Sequence, residues 1–179
     1  ASAVAIQLRE GDRTSLWAAL AGQTLTQAPP CDATYSNYGL AVLGEVLSER
    51  YSKPWIELVR ERITGPLGMS DTVVSLGDQA RRMAPPFDGL REAPLWDMKA
   101  FVGAGGLRST PHDMLLFGRA ILAGRSGPLG AAAEQLVAPL GPYEGGRIGH
   151  AIFVVGPPDR LSYSHDGLTG AYRALLTLY

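Results

Sequence analysis

The sequence predicts an α+β fold in which a helical lobe packs beside an antiparallel sheet. Two patterns point to it: apolar residues recur three and four positions apart through the middle of the chain, and past Gly145 short β-rich runs alternate with turns. A third observation sets the scale, because 179 residues with 46% hydrophobic and 18% charged side chains suit a single domain, spanning 1–179, with a real hydrophobic core.

Taken in order, Ala3 to Leu8 reads as a short strand closed by a turn at Gly11-Asp12. Thr14 to Leu20 suits a short helix that Gly22 would stop, and Pro29-Pro30 then forbids helix. The clearest helix runs from Ser36 to Tyr51, with Leu40, Leu43 and Leu47, joined by Val42 and Val46, expected along its buried face. Pro54 fits the first turn of a second helix carrying Trp55, Ile56, Val59 and Ile63, which Gly65-Pro66 should end, and the two helices should pack together. Residues 70 to 100 contain Pro85-Pro86, Gly89 and Pro94 without sustained periodicity, so a long irregular region is expected, of the kind that often borders a cleft. Thr110 should cap a helix with Pro111 in its first turn and Asp113 reaching back, its apolar residues being Leu115, Leu116, Ile121 and Leu122, and Gly124 should close it. Strands are expected over Gly149–Val155, Leu161–Ser164 and Ala171–Tyr179, with a turn at Gly156 to Asp159.

Composition removes several functions. The net charge is −1, and the basic residues are scattered, mostly arginine with only Lys53 and Lys99 as lysines, so no stripe suits a nucleic-acid backbone. No apolar run approaches a membrane-spanning length, and no signal core opens the chain. Cys31 is the only cysteine, which excludes an internal disulfide. His112, His150 and His165 have no ligand spacing for zinc, so neither a metal nor a cofactor is expected. Gly103-Ala-Gly-Gly106 lacks the Gly-Lys-Ser/Thr ending of a phosphate loop and reads better as a tight turn near a cleft.

Two constellations could carry chemistry. Tyr35-Ser36-Asn37 opens the strongest helix, where a phenol and an amide two residues apart can point into one cleft; equally, Ser36 or Asn37 caps the helix and Tyr35 simply packs. His165-Asp166-Gly167-Leu168-Thr169-Gly170 lies between two predicted strands. A glycine there lets a substrate backbone approach, and a histidine beside it can exchange a proton; equally, this is ordinary turn chemistry with an exposed histidine. Ser36 and Ser109 have no lysine or histidine close in sequence to activate them and read as caps.

Together with their surroundings these segments form an ordered set: Tyr35-Ser-Asn-Tyr-Gly-Leu-Ala-Val-Leu-Gly44, Pro66-Leu-Gly-Met69-Ser-Asp-Thr72, Gly103-Ala-Gly-Gly-Leu-Arg-Ser-Thr110 with Asp113, and His165-Asp-Gly167. In that order they resemble the landmarks of the serine β-lactamase-like hydrolases, which include class C β-lactamases, D-alanyl-D-alanine peptidases and family VIII esterases. The resemblance runs from about Leu16 to the last residue. It implies a β-lactamase/penicillin-binding-protein-like fold and an acyl-enzyme formed on the serine of a Ser-x-x-Lys motif. By the same resemblance Tyr35 would be the general base, helped by the family's lysine. Asn37 would orient substrate and that lysine. His165 would stand where lactamases often carry lysine, and Gly167 with the backbone N–H of Leu168 would bind substrate, the latter as an oxyanion donor. The substrate would be a small-molecule or short-peptide acyl compound, and the compartment of such bacterial enzymes periplasmic or extracellular, with the cytoplasm also open.

One landmark is missing. Lys53 and Lys99 are preceded three residues earlier by Arg50 and Trp96, so no Ser-x-x-Lys occurs. Because the chain opens on Ala1 and closes on Tyr179 within a strand pattern, the expectation is a fold incomplete at its N-terminus whose nucleophile segment was cut away, lies unobserved, or was lost, in that order. The resulting functional expectation is a serine hydrolase acting on an amide or ester carbonyl; the alternative is a pseudoenzyme or ligand-binding module of the same fold.

Overall fold

The computed structural model describes residues 11–24, 28 and 31–179. The strand expected over Ala3–Leu8 lies outside them. Helix α1 spans Arg13–Ala21; the Asp12 carboxylate accepts from Ser15 N, and Gly22 follows the last turn. Helix α2 spans Asn37–Tyr51, with the Ser36 hydroxyl accepting from Gly39 N at one end and Ser52 in the left-handed region at the other. Both helices start where a short polar side chain can satisfy an N–H that the helix itself leaves open.

The buried face of α2 differs from expectation. Ala41 and Gly44 are the buried residues, whereas Leu40, Leu43 and Val46 are exposed. The reason is close approach: a methyl on Gly103 would stand 3.1 Å from the Leu40 carbonyl and 3.3 Å from Gly44 Cα, so α2 meets the one-turn helix α5, Val102–Gly105, backbone to backbone. Large apolar side chains cannot occupy such a seam. Gly103-Ala-Gly-Gly106 is therefore mostly a short helix, not the tight turn expected from its glycines. Around this seam Leu16, Ala41, Met98, Ala100 and Phe101 form the helical core. The Tyr38 hydroxyl, which donates to Leu16 O at 3.1 Å, ties α1 to α2.

Helix α3, Trp55–Val59, does not end at Gly65-Pro66. It widens into a π-helical turn, Arg60–Thr64, and continues as α4, Gly65–Leu67, until Gly68 enters the left-handed region at φ 70°. Pro66 has no N–H to donate to a tight α-turn, and a Cβ on Gly65 would lie 2.6 Å from the Arg60 carbonyl, so the wide turn and the glycine accommodate the proline together. Pro54 caps this run instead of sitting in its first turn.

Residues 70 to 100 are irregular as expected, with a 3-10 turn at Gly77–Arg82, a small hairpin of β1, Phe87–Asp88, and β2, Arg91–Glu92, and a second 3-10 turn at Lys99–Phe101. Long-range bonds hold this region down. Val73 and Arg108 exchange backbone hydrogen bonds, the Arg108 guanidinium donates to Val74 O and Trp96 O, and the Tyr172 hydroxyl donates to Ala84 O at 2.6 Å.

Helix α6, Pro111–Leu122, begins at Thr110, whose hydroxyl accepts from Asp113 N. The Asp113 carboxylate does not reach back along the helix. It is buried and accepts from Asp71 N at 2.9 Å and Thr72 Oγ1 at 2.8 Å, while Ser109 Oγ, also no cap, bonds Thr72 Oγ1. A side chain that can neutralise two donors of a buried loop leaves its own helix to do so. Leu115 and Leu122 are exposed, and α6 packs on the sheet through Gly118, where a Cβ would come within 2.9 Å of Leu178.

Helix α7, Ala131–Val137, and the hairpin of β3, Gly141–Tyr143, with β4, Gly146–Ile148, were not expected from the sequence. They lead into β5, Phe153–Val155, β6, Ser162–Thr169, and β7, Tyr172–Leu178, which complete an antiparallel sheet in sequence order β3-β4-β5-β6-β7. Val154 and Leu178 are buried, the latter against α6 at Gly118. Among the described residues no helix is long and apolar enough to cross a membrane.

Candidate functional site

Helix α2 and strand β6 supply the residues singled out from the sequence. Tyr35 lies outside any helix or strand, immediately before the Ser36 cap, 55% exposed, and its hydroxyl donates to Asn37 Oδ1 at 3.3 Å. The cap fixes this geometry: Ser36 must leave the helical region to bond Gly39 N, which turns Tyr35 off the helix axis while Asn37 occupies the first turn. The ring of Tyr35 stacks on the ring of His165 with centroids 6.4 Å apart and planes at 25°. Phenol and amide, two residues apart, thus share one surface with an imidazole from far along the chain.

His165 lies within β6, not in a turn between strands. The register runs unbroken from Tyr163↔Leu178 through His165↔Leu176 and Gly167↔Ala174 to Thr169↔Tyr172, and the reversal comes at Gly170, φ 54°. The Asp-Gly and Thr-Gly pairs had suggested turns, but β7 offers a full ladder of partners, which outweighs local turn preference. On the other side, β5 pairs with β6 only as far as Ser164. Among the described residues, His165 to Thr169 are consequently paired with a strand along one edge alone. Gly167 and Leu168 belong to this open stretch; both are exposed, Leu168 at 60%. A Cβ built on Gly167 meets nothing within 4 Å, so packing does not demand glycine there.

Two further residues were missed by sequence reasoning. Phe153 stacks on His165 at 5.6 Å with planes only 8° apart, and Tyr143 stacks on Phe153 at 5.7 Å. Their sole signal in the sequence is aromatic character within β-rich runs. Burial, then the charge of Glu144, raise the Tyr143 phenol above its ordinary range, with Tyr35 adding to the effect. Tyr143 thus holds its proton beside the cluster. A shallow groove of about 190 Å³ lined by Tyr143, Glu144, Phe153 and Ser164 adjoins the imidazole.

A larger cleft, about 640 Å³, lies elsewhere, between Arg13, Glu45, Glu49, Trp55, Asp97 and Lys99. Arg13 is paired with Glu45 and Glu49, and Lys53 at its rim with Glu61. The ion pairs of Arg13 with Glu45 and Glu49 and of Lys53 with Glu61 describe a solvated, open surface, and the convergence of three chemically different groups makes the Tyr35–His165 surface the better candidate site.

Comparison with known proteins agrees with this architecture. Over 104 residues, 58% of this chain and 26% of the relative, the sequence is 38% identical to the D-alanyl-D-alanine-carboxypeptidase/endopeptidase AmpH of Escherichia coli (strain K12). It is 33% identical over 128 residues to the putative beta-lactamase-like 1 of Homo sapiens, covering 68% of this chain and 25% of that one. Among solved structures the fold is similar to a beta-lactamase/D-alanine carboxypeptidase from Pseudomonas syringae, with a TM-score of 0.83 at 16% identity, over 94% of this chain and 57% of that one. It is also similar to D-alanine carboxypeptidase AmpC from Burkholderia cenocepacia, with a TM-score of 0.82 at 15% identity, over 97% and 61%. The chain therefore spans about a quarter of those sequence relatives and somewhat over half of those structures. The Beta-lactamase family model matches residues 4–178, nearly the whole length, and with helices and antiparallel sheet arranged as in its solved members the chain belongs to the serine β-lactamase-like family.

Proposed function

We propose that residues 1–179 form one β-lactamase-like domain contributing the acyl-transfer cleft of a serine hydrolase that attacks an amide or ester carbonyl through an acyl-enzyme. The observation that carries this reading is the stacking of Tyr35 on His165, with Asn37 bonded to the same phenol. A hydroxyl nucleophile is weak until a neighbouring base accepts its proton, and Tyr35 is the group placed to accept it. Asn37 holds the phenol and offers its amide to substrate. His165 can donate to the substrate or return a proton to the leaving group. The open edge of β6 lets the acyl chain lie beside Gly167, with the Leu168 N–H directed to the developing oxyanion.

The serine itself is not in this sequence, which contains no Ser-x-x-Lys. That fact favours a second reading for the isolated chain, a non-catalytic module that binds acyl or D-alanyl ligands in the same cleft. Intact-protein mass spectrometry separates the two. The longest product of the encoding gene is exposed to a fluorophosphonate or a fluorescent penicillin. One covalent adduct on a serine outside these 179 residues supports the hydrolase; no adduct on any product, together with retained ligand binding, supports the module.

A further inference from the structure

The three histidines differ in how their rings are held. His112 Nδ1 lies 3.4 Å from Asp113 Oδ1, and His150 Nδ1 lies 2.7 Å from Gln135 O. Neither ring nitrogen of His165 has a hydrogen-bond partner among the described residues. Histidines that must present one nitrogen in a fixed direction are usually oriented by a bond to the other. Among the described residues that means is absent, yet the imidazole lies within 8° of parallel to the Phe153 ring with centroids 5.6 Å apart, inside the range of offset stacking.

Phe153 is itself well fixed. Its backbone is in register with Ile148 on one side and Ser164 on the other, so it belongs to the three-strand part of the sheet and not to a loop. Its ring is backed by Tyr143, 5.7 Å away and tilted by 22°, which the β3–β4 hairpin carries next to the Glu144-Gly145 turn. The outcome is a file of rings, Tyr143, Phe153, His165 and Tyr35, running from the hairpin to the start of α2.

We infer that Phe153, backed by Tyr143, is the positioning residue for His165, setting the plane of the imidazole by stacking and leaving both of its nitrogens free for a ligand. The inference rests on the site assignment above only in giving His165 a purpose; the stacking role stands or falls separately. An aliphatic side chain at 153 would keep the apolar volume but lose the flat face that defines the ring plane.

The test uses the 179-residue chain with labelled histidines, whose three ring Hε1–Cε1 signals are followed in proton–carbon correlation spectra of wild type, Phe153→Leu, Phe153→Tyr and Tyr143→Leu. The expected result is a downfield shift and broadening of the His165 signal alone in Phe153→Leu, from loss of the ring current and of the fixed plane. Phe153→Tyr should restore both, and Tyr143→Leu should broaden His165 to a smaller extent. An unmoved, sharp His165 signal in Phe153→Leu overturns the proposal. If Phe153→Leu moves all three signals, the fold has changed and Tyr143→Leu decides: a change confined to His165 supports the role, and none refutes it. In any product that forms the adduct described above, His165→Gln reports separately on catalysis. Loss of turnover there with no spectral effect at 153 would keep the hydrolase and discard the positioning role; the converse would keep the positioning role alone.

Discussion

Tyr35 and His165, carried by the lead-in to the first long helix and by a strand near the end of the chain, stack with ring centroids 6.4 Å apart. Under the proposed function this pair would serve as base and proton donor for the two halves of an acyl transfer. In any product carrying the nucleophile, Tyr35→Phe should lower the acylation rate ~10²–10⁴-fold, the usual contribution of a positioned base. The phenyl ring keeps the stack, so the thermal midpoint should hardly move. Stopped-flow acylation by a chromogenic ester checks this, and unchanged rates would remove Tyr35 from the mechanism.

Gly167 offers a sharper distinction between folding and binding. Since a Cβ there meets nothing, Gly167→Ala should alter stability by no more than ~0.5 kcal/mol. If an acyl chain lies against β6, the added methyl occupies its path and affinity for a D-alanyl peptide or penicillin should fall about 5- to 150-fold, as a clash of ~1–3 kcal/mol requires. Calorimetry and thermal melts on the same samples give both numbers; equal affinity would place the ligand elsewhere.

The Asp113 carboxylate joins α6 to the Asp71-Thr72 loop. Asp113→Ala strips two donors of a buried acceptor and leaves a void, so a loss of about 2–4 kcal/mol is expected, measured by urea unfolding. Thr72→Val removes only one of those donors and should cost less. A neutral Asp113→Ala would mean that water replaces the carboxylate.

Next to it, Asp71 is held below the ordinary carboxylate range, chiefly by the two hydrogen bonds from Arg82, at 2.6 and 2.8 Å. A depressed folded-state value means that the folded chain binds this proton less readily than the unfolded one. The corresponding stability is present above the ordinary carboxylate value of 3.8 and is lost as pH falls through the lower folded value. Asp71→Asn should therefore be less stable than wild type at neutral pH, and the gap should close as the solution is acidified below that range. Urea midpoints measured at neutral and acid pH test the sign, and a gap that widened in acid would reverse it.

The seam between α2 and α5 predicts opposite behaviour at neighbouring positions. Gly103→Ala drives a methyl against backbone atoms at 3.1 and 3.3 Å and should destabilise by roughly 1–3 kcal/mol. Leu43→Glu, at a residue 51% exposed, should cost this chain no more than about 0.5 kcal/mol. The reverse order would place the leucine face of α2, not its small-residue face, in the helical core.

Much of this was legible in the sequence because it depends on neighbours along the chain. Ser36 and Thr110 cap helices because a hydroxyl reaches an N–H three residues on, Gly22 follows a helical end for backbone reasons, and apolar periodicity marks where a helix is. The ordered landmarks around Tyr35, Asn37, His165 and Gly167 were also visible, as was the expectation that they serve one cleft. Periodicity did not say which face of α2 is buried, since that depends on how closely Gly103 lets another backbone approach. Nor could Asp-Gly and Thr-Gly reveal that β7 would draw them into a strand, or an isolated phenylalanine that it would lie flat against a histidine. Caps, turns and periods are short-range and are written locally; seams, ladders and stacked rings join residues far apart in the chain, and only the tertiary structure brings those surfaces together.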